Sequence, residues 1–158
     1  MHGKNAMENP IQIKLVQQAD FRFAADFGDA AIPVLITDEP APLGSGQGPN
    51  PEQLLGAAVA NCLAASLLFA MRKFKNDPSP LQAVATVTPV RNAQNRMRIG
   101  SIAVDLNLGV AATAVASLDR ILAQFEDFCV VTQSVRSAIP VTVRVLDVDG
   151  ALLHTSMQ

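Results

Sequence analysis

Sulfur is the most reactive chemistry this chain offers. Its two cysteines, Cys62 and Cys129, stand out against two histidines near the termini, His2 and His154, and no Trp or Tyr. Neither histidine is placed in sequence to form a convincing catalytic pair with a cysteine. An enzyme built from these residues is therefore expected to run redox or nucleophilic thiol chemistry. Cys62 lies inside an apolar run from Leu54 to Phe69. In apolar surroundings a thiol's pKa rises and the group is inert, so reaction requires a nearby cation or directed hydrogen bonds. Arg72 and Glu52 are each ten positions away, about 15 Å at the helical rise of ~1.5 Å per residue. Neither touches Cys62 within one helix. If Glu52 serves this thiol at all, it most simply does so from the partner helix of an antiparallel dimer; its place at a helix start is explained by the helix dipole alone.

Cys129 follows a second helical pattern, Thr113 to Phe128. It reads either as a small hydrophobe or as a thiol just before a short helix over Thr132–Ala138, where the dipole would lower its pKa. Its separation from Cys62 is not readable, and a disulfide needs Cα atoms within roughly 7 Å. Gln133 and Arg136 are weaker candidates for polar groups near Cys129, and Ser66 reads as a packing residue.

Elements able to position these thiols follow in order. Residues 11–15 and 21–27 alternate apolar and polar, and residues 33–37 form a short apolar run, which predicts three strands in an antiparallel meander. Residues 38–50 are rich in Pro and Gly and read as a loop. Asn50, Pro51 and Glu52 then give a helix start, with the helix running to about Lys75. Strands are expected at 82–90 and 98–108, a helix at 113–128 and a last strand at 140–148. This order argues for an α+β class with a mainly antiparallel sheet covering a long central helix. Residues 10–158 read as one domain and residues 1–9 as a disordered tail or cloning remnant.

Composition narrows the function classes. Hydrophobic residues make up 49% of the chain and the net charge is −2. A sizeable core is affordable, and no basic patch points to nucleic acid. The longest apolar run is broken by Gly56, Asn61, Cys62 and Ser66, so no membrane span is expected, and no signal peptide is visible. A cytoplasmic location is expected, where paired thiols are more often reactive or simply buried than statically disulfide-bonded. Asp38 and Glu39 lack partner ligands at metal-binding spacing, and Gly44–Gly48 lacks the Gly-Lys-Ser/Thr ending of a phosphate loop. No metal and no cofactor is expected.

The segment Gly46-Gln47-Gly48-Pro49-Asn50-Pro51-Glu52-Gln53-Leu54-Leu55 is followed by a small-residue helix with Cys62 ten positions after Glu52. A second cysteine, Cys129, and a closing strand Ile139-Pro140-Val141-Thr142-Val143 come later. Together these resemble the OsmC/Ohr family of osmotically inducible and organic-hydroperoxide-resistance proteins, over nearly the whole chain. Many members have Pro after the second cysteine, where this chain has Val130, so the resemblance is to a divergent OsmC-like subgroup. The resemblance implies an intertwined homodimer with an interfacial site. It also implies a thiol peroxidase in which Cys62 attacks an organic hydroperoxide and Cys129 resolves the sulfenic acid. An external dithiol or lipoyl-type reductant would regenerate the thiols. The family's thiolate-organising Glu and Arg would fall on Glu52 and, by rough sequence position, on Arg22. The alternatives are a small-molecule-binding or redox-sensing protein on the same scaffold.

Overall fold

The computed structural model describes residues 9–157. His2 and residues 1–8 of the expected tail lie outside the described residues. The chain divides into two compact units, one ending at Pro51 and the other starting at Glu52.

The first unit is a three-stranded antiparallel sheet in the order β1 (Lys14–Ala19), β2 (Arg22–Asp26), β3 (Leu35–Thr37). The meander is as expected, but β1 runs later than predicted. Gln17 and Gln18 look like turn residues, yet Gln17 pairs with Phe23 in the ladder. The turn shrinks to Asp20 and Phe21, with Asp20 in the left-handed region at φ 45°, a conformation Asp tolerates better than most residues. Every residue of β1 is exposed. Ala25 is the one buried hydrophobic residue in this unit among the described residues. The Pro/Gly-rich loop after β3 is organised by buried Asp38. Its carboxylate accepts hydrogen bonds from the N–H groups of Glu39, Ser45 and Gln47 and from the Ser45 hydroxyl. Those bonds, with that from Gln47 foremost, hold the Asp38 carboxyl below its ordinary pKa. Gly48 is required here because a Cβ would lie 2.1 Å from the Ile36 carbonyl oxygen.

In the second unit, α1 (Pro51–Lys73) packs against a sheet in the order β4 (Gln82–Arg91), β5 (Met97–Asn107), β6 (Val141–Leu146), β7 (Leu152–Met157). Three neighbouring pairs in the molecule's two sheets were expected to be antiparallel and are; β5 and β6 instead pair in parallel. Parallel neighbours need a long crossover, and the residues between β5 and β6 supply it. They were read as one helix over 113–128 followed by another over 132–138. The structure instead places 3-10 turns at Ala112–Ala114 and Phe125–Phe128 and short helices α2 (Leu118–Leu122) and α3 (Val130–Val135). Ser117 at φ 58° and Gln124 at φ −125° break the helical run, while the apolar spacing that suggested it still buries Leu122 and Phe125. β7 was not anticipated. It pairs antiparallel with β6 after a turn in which Gly150 has φ 81°.

One face of α1, carrying Val59, Leu63, Leu67 and Met71, is buried with Ile102, Val104 and Leu106 of β5 and Val141, Val143 and Val145 of β6. Small residues bring the helix close to the sheet: a Cβ on Gly56 would meet Val87 Cγ2 at 2.7 Å. Contrary to the expectation from its polar breaks, α1 is long and apolar enough to cross a membrane by length and composition alone. Gly, Asn and Ser lower its mean hydropathy too little, and 33% of its most apolar window is buried. Leu67 is fully buried. Leu67→Ala is expected to cost about 3 kcal/mol in urea unfolding, while exposed Ala65→Ser changes stability by under about 0.5 kcal/mol. A Leu67→Ala cost below about 1 kcal/mol would contradict this core assignment.

Candidate active site

Cys62 lies in the fourth turn of α1, one position before buried Leu63, and is half-buried beside the core. Cys129 is fully buried at the junction between the Phe125–Phe128 turn and α3. Both are free thiols, and Cys62 packs against the buried cluster that contains Cys129. Residues 67 positions apart are thus brought together by docking of α1 and the 125–135 segment into the same core.

The expected dipole effect on Cys129 is overturned. Cys129 is at the N-cap position of α3, as anticipated, but without a side-chain capping hydrogen bond. Its pKa is raised, first by burial and then by the hydrogen bond with Cys62. The hydroxyl and N–H of Thr132 pull the other way and do not prevail. A helix of six residues cannot offset removal of the sulfur from water, which disfavours the thiolate. The buried Cys129 thiol donates to Thr132 Oγ1 at 2.9 Å.

Glu52 is exposed in the first turn of α1, about 15 Å from Cys62 along the helix axis by helical rise. Arg22 opens β2 opposite Ala19 and lines a cavity of ≈ 360 Å³ with Gln18, Ile36 and Gln47 in the first unit. Among the described residues, no cluster of three His, Cys, Asp or Glu side chains is arranged to hold a metal ion.

Two residues beside Cys129 were missed. One is Thr132, buried against its sulfur. The other is Glu126, whose buried carboxylate pairs with Arg136, accepts from the Ser156 hydroxyl at 2.7 and 2.9 Å, and faces His154 Nε2 at 2.7 Å. A carboxylate only accepts hydrogen bonds, so His154 Nε2 carries the hydrogen. Although near the end of the chain, His154 also meets Phe125 edge-on at 5.7 Å. Burial alone would raise the Glu126 pKa and is the largest single influence. Hydrogen bonds from Ser156, Arg136 and His154, with the Arg136 charge, outweigh it and hold the carboxyl below its ordinary value of 4.5.

The sign of this linkage is fixed by the lowered folded-state pKa. Its stabilisation is complete above the unfolded value of 4.5 and is lost as pH falls through the folded-state pKa. The stability gap between wild type and Glu126→Gln should therefore shrink as pH drops from 6 towards 3 in denaturant titrations. A gap independent of pH, or one that widens on acidification, would contradict the charged assignment.

The family model described as OsmC-like protein matches residues 44–144. No curated protein matches in sequence. An OsmC-like protein of unknown function from Vibrio cholerae is similar in structure, with a TM-score of 0.73 at 12% identity, covering 87% of this chain and 99% of the other. A putative organic hydroperoxide resistance protein of the same organism, with captopril in one active site, gives 0.66 at 23% identity, with coverage of 94% and 98%. The organic hydroperoxide resistance protein OhrB of Bacillus subtilis gives 0.64 at 16% identity, with coverage of 87% and 98%. With a family match over well more than half of its length and an α+β fold shared with these structures, the chain belongs to the OsmC-like protein family.

Proposed function

We propose that this protein is a cytoplasmic thiol peroxidase for organic, hydrophobic hydroperoxides, with Cys62 as the peroxidatic residue and Cys129 as the resolving one. The observation that carries this reading is that both thiols share one core cluster, Cys129 inside it and Cys62 packed against it. Their unequal settings assign the roles. Cys62 is half-buried and reachable, whereas Cys129 is fully buried and held as the thiol. The family, and structural neighbours described as organic hydroperoxide resistance proteins, support the peroxide chemistry.

In the first step the Cys62 thiolate attacks the outer peroxide oxygen. The O–O bond breaks, Cys62 becomes the sulfenic acid, and the alkoxide takes a proton to leave as the alcohol. Cys129 then attacks the Cys62 sulfur, giving the disulfide and water. An external dithiol or lipoyl-type reductant exchanges with the disulfide and restores both thiols, becoming oxidised itself. The apolar surroundings of Cys62 favour a hydrophobic peroxide over a small polar one.

Glu52 and Arg22 are assigned to organising the Cys62 thiolate and the peroxide oxygen. An Arg fork near the sulfur favours thiolate and stabilises a developing alkoxide. Since Glu52 is too far along α1 to reach its own Cys62, the reading requires a homodimer in which a second copy supplies it. Uncovered apolar surface supports that assembly: Phe69 on α1 is 68% exposed, and Leu15, Val16 and Val84 are exposed on strands.

Stopped-flow oxidation of the reduced protein should be faster with cumene hydroperoxide than with hydrogen peroxide. Cys62→Ser should slow it by at least about 100-fold, as removal of a nucleophile does. Cys129→Ser should keep the first step and stop at the sulfenic acid. Equal rates for wild type and Cys62→Ser would reject the reading. Light scattering should give twice the chain mass of 16.7 kDa, and a monomer at assay concentration would remove the second-copy role of Glu52.

A further inference from the structure

The backbone around Cys129 closes on itself through four links. The Cys129 N–H donates to the Glu126 carbonyl at 3.0 Å, and its thiol donates to Thr132 Oγ1 at 2.9 Å. The Arg136 N–H donates to the Thr132 carbonyl at 2.9 Å, and the Arg136 guanidinium returns to the Glu126 carboxylate. Gln133 Nε2 adds a second bond to the Glu126 carbonyl at 3.0 Å. The ring is fastened to the sheet, because His154 and Ser156, two residues apart on β7, both bind the Glu126 carboxylate.

Little else in the segment could hold the sulfur so firmly. The Phe125–Phe128 turn and α3 are short, and both neighbours of Cys129 point outward, Phe128 at 68% and Val130 at 75% exposure. Short helical pieces have little stability of their own. Removing one partner of a buried ion pair leaves the other charge uncompensated and releases the groups around it. Attack by one protein thiol on another depends on how closely the pair is held, which is expressed as an effective concentration.

We propose that Glu126 is a positioning residue for the resolving thiol: its carboxylate, clamped between Arg136 and the His154–Ser156 pair of β7, holds Cys129 against Cys62. The role rests on the two-cysteine reading but is testable without peroxide. In glutathione buffers, two protein thiols and one oxidised glutathione give the intramolecular disulfide and two reduced glutathiones. The equilibrium constant is the effective concentration of the pair.

Wild type and Glu126→Gln should be compared at a temperature where both are folded by circular dichroism, with Leu67→Ala as a control that is destabilised on α1 and takes no part in the hydrogen bonds of this ring. Glu126→Gln is expected to lower the effective concentration at least tenfold, and Leu67→Ala to leave it within threefold of wild type. If Glu126→Gln does not fold, Ser156→Ala with His154→Gln tests the same clamp from β7, with a drop of at least threefold expected. An unchanged or raised value in the clamp variant would overturn the proposal, as would an equal fall in Leu67→Ala. Absence of any Cys62–Cys129 disulfide in wild type across the buffer series would overturn it too. Peroxide reactivity of the same wild-type sample separates failure of the positioning role from failure of the peroxidase reading.

Discussion

Burial of a single face of α1 on β5 and β6 constrains the rest of the second unit. Val59, Leu63, Leu67 and Met71 are removed from water together with the central residues of both strands. Each such side chain contributes about 1.5–3 kcal/mol when fully buried, so the helix has little freedom to rotate. A rotation large enough to expose Leu63 would carry Cys62 to a new bearing and break its contact with Cys129. The reactive geometry is therefore set by packing before any polar interaction is considered.

Polar interactions then determine how the second sulfur is presented. Cys129 comes from a crossover built of short turns, between strands that lie parallel in the sheet. Such a segment is held by what it binds. Glu126 binds backbone at one end and Arg136, His154 and Ser156 at the other. Burying this carboxylate is tolerable because its hydrogen bonds are satisfied and a cation pairs with it. The two cysteines thus differ in kind: one is fixed by a long helix and open to the surface, the other buried in a pinned turn.

Much of this was legible in sequence. The cap-and-proline start at Asn50 and Pro51 marked the beginning of α1, the strand alternation marked β2, and strands were expected where β4 and β5 lie. The apolar setting of Cys62 was plain, and so was the family pattern linking it to Glu52 and Cys129. Features that depend on distant residues were not legible. Glu126 looks like a solvated helix charge until β7 brings His154 and Ser156 to it, 28 and 30 residues on. The depth of Cys129, which reversed the expected pKa direction, is set by tertiary packing and not by its place before α3. The spacing of Val115, Leu118, Leu122 and Phe125 fitted a helix because the segment does bury part of one side, but Ser117 and Gln124 turn the backbone out of helical geometry. Arg22 remains a family-based assignment, since it lies in the first unit and Cys62 in the second.

The most direct test of the two-thiol account is disulfide mapping after one equivalent of cumene hydroperoxide. It would use a mixture of ¹⁵N-labelled and unlabelled protein, with alkylation under denaturing conditions and mass analysis of the peptides. The account predicts a Cys62–Cys129 link formed within single chains, so that labelled peptide pairs only with labelled. Links between Cys62 residues of different chains, or two cysteines that remain free to alkylate, would contradict it.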